Sequence, residues 1–236
     1  MEIRKAFHEE MGEIRSDVIR LGALAGEAIQ AGTNAFLDED LSKVDDVVQA
    51  DVGMDALTHS IEQRTCLLLA QQQPMAVDLR VLVSILRIIH EVERIGDLMV
   101  KVAKAGRRMY PEPLEPRPRG LINRMRDQAA AQLRLAVDAF ADQDMSKARA
   151  LMDMDDVMDE LQKELFQYIF SQHDSGDTSL QRSVSIALVG RYYERIGDHA
   201  ANFADRVEFM VTGHFAYEST DDGQASVSSQ PDGPGS

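Results

Sequence analysis

The sequence predicts an all-α protein made of two tandem antiparallel three-helix bundles related by a pseudo-two-fold axis. Three observations predict it. The pentapeptide Glu93-Arg94-Ile95-Gly96-Asp97 recurs letter for letter as Glu194-Arg195-Ile196-Gly197-Asp198, offset by 101 residues (194 − 93) in a chain of 236. Apolar residues repeat at spacings of three and four over long stretches, and no strand-like alternation persists. Four of the seven prolines fall between Tyr110 and Pro118, near the middle of the chain.

Each element follows from these patterns. Residues 3–37 read as one amphipathic helix, with Phe7, Met11, Ile14, Val18, Leu21, Ala25 and Ala28 stepping along one face. Gly12, Gly22, Gly26 and Gly32 lower its helix propensity by about 1 kcal/mol each and permit close approach of another helix. A second helix covers about 41–71 and stops before Pro74, because proline disfavours helix in the preceding residue. A third spans about 75–109. Alternating prolines then make 110–118 an extended linker. The pattern resumes over about 119–141, 144–172 and 178–213. The first unit is therefore 1–109 and the second 119–215. Residues 216–236, rich in Ser, Gly, Asp and Gln, read as a disordered tail.

The units also match outside the pentapeptide. Ala35-Phe36, Asp38, Asp40 and Ser42-Lys43 recur as Ala139-Phe140, Asp142, Asp144 and Ser146-Lys147, offset by 104 (139 − 35). The second interhelical turn is thus three residues shorter (104 − 101).

Bulk properties narrow the function. The net charge is −15, which opposes nucleic-acid binding through neutralised phosphates and adhesion to anionic membranes. Cationic partners are expected instead: metal ions or basic protein patches. The N-terminus has no signal-like apolar run, and no segment is long enough to span a bilayer, so a soluble cytoplasmic protein is expected. The single cysteine, Cys66, lies in an apolar run and reads as a small buried hydrophobe.

The acids carry the chemistry. Residues i and i+4 share a helix face, and like charges at that spacing cost a helix a few tenths of a kcal/mol. Glu93/Asp97 and Glu194/Asp198 are such pairs on the third helices. Asp51/Asp55 and Asp155/Asp159 are their counterparts on the second helices. Asp51 and Asp55 lie 22 and 18 residues before the turn at Gln73, and Glu93 and Asp97 lie 20 and 24 after it. Antiparallel packing therefore puts the pairs at one level, and the same counting holds around Ser175 in the second unit. Four carboxylates per bundle suit hard or borderline cations such as Mg, Ca, Mn or Fe. Gly96 and Gly197, recurring in mid-helix, point to close approach of a helix or ligand.

His59 continues the Asp51/Asp55 row and is a candidate nitrogen ligand, though its counterpart is Lys163. Asn202 continues Glu194/Asp198, with Asp205 nearby, where the first unit has Lys101 and Lys104. The two patches should therefore differ, with the second binding a cation more tightly. His90 and His199 read as packing or surface residues, and Arg80 and Arg182 as surface ion pairs. No phosphate-binding Gly-Lys-Ser/Thr loop occurs, and no Glu-x-x-His of the kind di-iron bundles use.

The two three-helix units, the stretch Gln72-Gln73-Pro74-Met75-Ala76-Val77-Asp78-Leu79-Arg80 and the two Glu-Arg-Ile-Gly-Asp segments resemble the PhoU family, accessory proteins of the bacterial phosphate-specific ABC transporter. The resemblance covers about residues 3–213. In that family a Glu/Asp-x-x-x-Asp motif recurs and metal clusters sit on the bundles. Matched here, the motif falls on Asp51/Asp55, Glu93/Asp97, Asp155/Asp159 and Glu194/Asp198. The resemblance implies bound Fe, Mn, Mg or Zn and no catalysis. It implies a homodimer in the cytoplasm, held at the inner membrane through its partners without inserting. Those partners would be the transporter ATPase subunit and a phosphate-sensing histidine kinase, and the role negative regulation of phosphate uptake and starvation signalling when phosphate is plentiful.

Two departures from the family pattern stand out. The typical His-Ala-x-Asn follows the second pentapeptide as His199-Ala200-Ala201-Asn202, but the first is followed by Leu98-Met99-Val100-Lys101. The second interhelical turn also lacks the Pro-x-x-x-Asp-Leu-Arg type of stretch. Two other readings stay open at this level: a carboxylate-bridged dimetal hydrolase or oxidase, and a metal-free helical scaffold.

Overall fold

The computed structural model describes residues 2–38, 40–109, 113–152, 154–175 and 180–214, and every element among them is helical. The first unit comprises α1 (Glu2–Leu37), α2 (Leu41–Gln72) and α3 (Val77–Met109). The second comprises α4 (Pro116–Asp142), α5 (Met145–Met152), α6 (Asp155–Ser175) and α7 (Leu180–Thr212). The predicted tail at 216–236 and part of the predicted linker, 110–112, lie outside the described residues.

The stripe read along the first helix is its core face: Phe7, Ile14, Val18, Leu21, Ala25 and Ala28 are buried. The recurring Asp-x-Ser-Lys segment is a turn-and-cap device. Asp40 precedes α2 with extended backbone, and its Oδ1 accepts from the Ser42 N–H at 3.0 Å. Asp144 does the same for the Ser146 N–H at 2.8 Å. These bonds hold both aspartates below the usual carboxylate range, the Ser hydroxyl contributing most. Lys43 pairs with Asp38 and Lys147 with Asp142 across the same turns. This second repeated motif is therefore structural: it satisfies the orphan N–H groups at a helix start.

The structure differs from the sequence expectation in three places. Residues 144–172 read as one helix, but the second unit's counterpart of α2 is interrupted between α5 and α6. The interruption falls between Met152 and Asp155, in an aspartate-rich stretch of sequence, and aspartates favour helix starts over helix interiors. A Met154 N–H to Leu151 carbonyl bond of 3.1 Å closes the turn. The helix predicted from 119 begins earlier, at Pro116, because prolines are accepted in a first turn that has no N–H acceptor to lose. Cys66, expected to be buried, is exposed. The core face of α2 runs through Met54, Thr58, Ile61, Thr65 and Leu68, which turns Cys66 outward.

The two units share one apolar core. Within it α3 packs along α7 and α1 along α4, with α2 and α5–α6 on the flanks. The paired helices run antiparallel. Near the N-terminal end of α1 the Arg15 guanidinium reaches the Phe140 carbonyl at 3.5 Å, while Arg119 at the start of α4 reaches the Leu37 carbonyl at 2.7 Å. Close approach depends on small residues: a Cβ added at Gly22 would lie 2.5 Å from Val137 Cγ2. A buried polar link also joins the two units, from α1 to α7. The Thr33 hydroxyl donates to the Ile29 carbonyl and lies 2.6 Å from the Tyr193 hydroxyl, so Tyr193 donates to Thr33. Both residues are fully buried. Among the described residues no helix is long and apolar enough to cross a membrane.

Candidate functional site

In the first unit the acids of the two helices feel one another's charge. Asp51 and Asp55 on α2 and Glu93 and Asp97 on α3 share one electrostatic environment. Asp51 is half-buried, and its carboxyl is pushed up to about 6. Desolvation is the largest cause, followed by repulsion from Asp55, Asp97 and Glu93, with Lys104 opposing. Asp55 is also raised, by desolvation and by Glu93 and Asp97, against His59. The recurring glycine explains the approach: a Cβ at Gly96 would lie 2.7 Å from Asp51 Oδ1. Without a side chain there, the carboxylate rests on the backbone of α3.

Neighbouring groups partly engage these acids. His90 Nδ1 lies 3.3 Å from Glu93 Oε2, and Arg94 lies 3.1 Å and Lys101 4.0 Å from Asp97. His59 is exposed and directs Nδ1 to the Asp55 carbonyl at 2.9 Å. Among the described residues no three His, Cys, Asp or Glu side chains lie close enough together to enclose one ion. The helices thus set the acids at one level without closing a cage. The donors are carboxylate oxygens, the chemistry that suits hard cations, and the half-buried Asp51 is surrounded mainly by like charge.

The second patch is built differently. The helix break places Asp155 in the first turn of α6, where the helix dipole favours negative charge. The side chain of Asp155 lies outside what the structure describes. Asp159 and Asp198 are exposed, and Glu194 is half-buried. Glu194 is raised by desolvation first and by Asp198, against Arg191, which forms an ion pair with it. Its Oε2 is buried with no hydrogen-bond partner.

The remaining candidates take other places. Asn202 Nδ2 donates to Glu91 Oε2 at 3.3 Å, and His199 Nδ1 lies 2.8 Å from the same oxygen. The His-Ala-Ala-Asn segment therefore engages α3 of the first unit across the α3–α7 seam. Asp205 is half-buried and raised by desolvation, opposed by Arg206. Lys163, the counterpart of His59, pairs with Glu160 at 2.7 Å. Glu91 was not legible as a partner because its role needs the packing of one unit on the other. Gln132 was missed too. It is fully buried on α4 beside Gly197, and its only sequence signal is a polar residue on an apolar stripe.

Comparison with known proteins adds the family context. The PhoU domain matches residues 18–106 and 122–207, one copy per unit, and both acid patches fall inside. A phosphate-specific transport system accessory protein, PhoU homolog 1 of Mycobacterium leprae, is 32% identical over 219 residues, 92% of this chain and 98% of that protein. The crystal structure of PhoU from Pseudomonas aeruginosa matches with a TM-score of 0.82 at 29% identity, covering 88% of this chain and all of that one. That of the phosphate transport system regulatory protein PhoU from Streptococcus pneumoniae matches with a TM-score of 0.81 over 89% of this chain and 99% of that one, a likeness of fold at 24% identity.

Proposed function

The chain belongs to the PhoU family, and we propose that it restrains phosphate uptake and phosphate-starvation signalling when phosphate is abundant. It is a phosphate-transport accessory and regulatory protein, not an enzyme. In our reading it binds the ATPase subunit of a phosphate ABC transporter and a phosphate-sensing histidine kinase at the cytoplasmic face of the membrane, as a homodimer. The observation that carries this reading is the family match across both units, each with its own level-matched set of acids.

The route is binding. Acidic surfaces on α2–α3 and α6–α7 would dock on basic patches of the partners, with a divalent or trivalent cation (Fe, Mn, Mg or Zn) gathering the carboxylates. Asp51, Asp55, Glu93 and Asp97 would hold one ion; Asp155, Asp159, Glu194 and Asp198 would hold the other. A bound cation would relieve the repulsion that raises Asp51 and Asp55. Exposed charge pairs set association rate and salt dependence more than final affinity.

Deleting the gene should derepress a phosphate-starvation reporter in phosphate-rich medium and raise phosphate uptake. Binding of the purified protein to the ATPase subunit should weaken as salt rises. Unchanged reporter output in a strain with no second copy would refute the regulatory reading. Salt-insensitive binding would refute the electrostatic route.

A further inference from the structure

The apolar core of the first unit continues past what covers it. On α3, Val81, Ser84 and Ile88 are buried, and Val77 extends the same face by one turn, yet it is 55% exposed. On α7, Ala200, Ala204 and Val207 are buried, and Val211 extends that face in the same way at 36% exposed. Both open positions lie at one end of the molecule. His199 meets Glu91 in mid-helix, and a Cβ at Gly213 would lie 3.4 Å from Arg80 Nη1, so the end of α7 sits against the start of α3.

At the other end the second unit is closed. Leu114, in the segment that follows α3, is buried in the shared core. The residues on either side hold it there. The Tyr168 hydroxyl of α6 donates to the Glu115 carboxylate, and Arg182 in the first turn of α7 donates to the Pro113 carbonyl.

The duplication carries this arrangement over to the first unit. At the pentapeptide's offset of 101, Met109 matches Met210, both buried, and Leu114 matches Phe215 (215 − 114). Phe215 directly follows His214, and the chain leaves α7 beside the open end. Gly213 takes the left-handed conformation at a φ of 82°, its N–H donates to the Phe209 carbonyl at 2.8 Å, and the His214 N–H donates to Thr212 Oγ1 at 3.0 Å. Two residues reach at most about 7 Å beyond Gly213, which keeps Phe215 in the neighbourhood of Arg80 and the first turn of α3. Arg80 Nε is buried and has no hydrogen-bond partner among the described residues. A carbonyl of the segment after α7 would supply the acceptor, as Pro113 does for Arg182.

We propose that Phe215 folds back over the open end of the first unit and seats its ring on Val77 and Val211, as Leu114 seats at the end of the second. The occupant of this apolar patch is the chain's own continuation, not a second copy or a partner protein. Such closure needs neither a bound cation nor a partner.

The test uses the full chain with labelled valine methyl groups. Nuclear Overhauser contacts from the Phe215 ring to the Val77 and Val211 methyls are expected, and Phe215→Leu should remove them. Phe215→Ala should lower the melting temperature by about 3–6 °C, and Phe215→Leu by less. Val77→Ala should lower it too, and the double variant should lose clearly less than the sum of the two, because each substitution removes the same contact. Additive losses, an unchanged melting temperature in Phe215→Ala, or the absence of ring contacts to both valines would overturn the proposal. So would contacts seen only between differently labelled molecules in a mixed sample, which would put a second copy on the patch.

Discussion

Replacing Asp51 with asparagine should stabilise the metal-free protein at neutral pH, and the gain should shrink as the pH falls. Asparagine is nearly isosteric, so the contact with the Gly96 backbone is kept and the charge is lost. The carboxyl of Asp51 is raised from 3.8 to about 6 in the folded protein. Below pH 3.8 it is protonated in both states and contributes nothing. Between the two values the folded protein holds the proton that the unfolded chain has released, so stability falls as pH rises. Above about 6 the full penalty is present. A rise of that size corresponds to about 3 kcal/mol in a dry site. Asp51 is only half-buried, and solvent screening reduces this to about 1 kcal/mol. For a chain of this length that is a shift of about 2–4 °C in melting temperature. Thermal melts of both proteins in chelator should show a larger gain at pH 8 than at pH 5. Equal gains at the two pH values, or a loss at pH 8, would refute the argument that carboxylate crowding and burial raise this group. On the proposed cation reading, the order should reverse with Mn²⁺ in place of chelator, because asparagine would remove a charged ligand.

The helix seams give two further expectations. Gly32→Ala should destabilise by about 1–3 kcal/mol in urea titrations, since its Cβ would meet Met99 Cε at 2.7 Å and the Met99 carbonyl oxygen at 3.0 Å, and a backbone atom cannot swing away. Gly26→Ala, with nothing within 4 Å, should instead stabilise by up to about 1 kcal/mol through helix propensity; equal effects at the two sites would refute the close-approach account. Tyr193→Phe should cost about 1 kcal/mol by deleting the buried bond to Thr33 between the units, and no change in the urea midpoint would show that bond to carry nothing.

The sequence alone determined the helical class, the duplication and the levels of the acids. Each of these is a local or periodic property. The Phe7-to-Ala28 stripe marks a buried face because helical spacing is fixed. The level of Asp51 against Asp97 follows from the rise per residue once the turn at Gln73 is located. Gly96 was legible as a point of close approach because it recurs, although what approaches it, Asp51 Oδ1, was not. Tertiary structure decided the rest. The two units share a core through the α1–α4 and α3–α7 seams, and only there do His199 and Asn202 meet Glu91. The interruption before Asp155 makes the second patch unlike the first, and it falls in an aspartate-rich stretch that favours helix starts. Cys66 points outward because the phase of α2, not its apolar neighbours, sets which side faces the core. Gln132 shows the limit most plainly: on the sequence it is one polar residue in an alanine-rich stripe, and only packing against Gly197 makes it a buried amide in need of a partner. Periodicity carries along the chain, whereas which side chains meet depends on how separate helices pack.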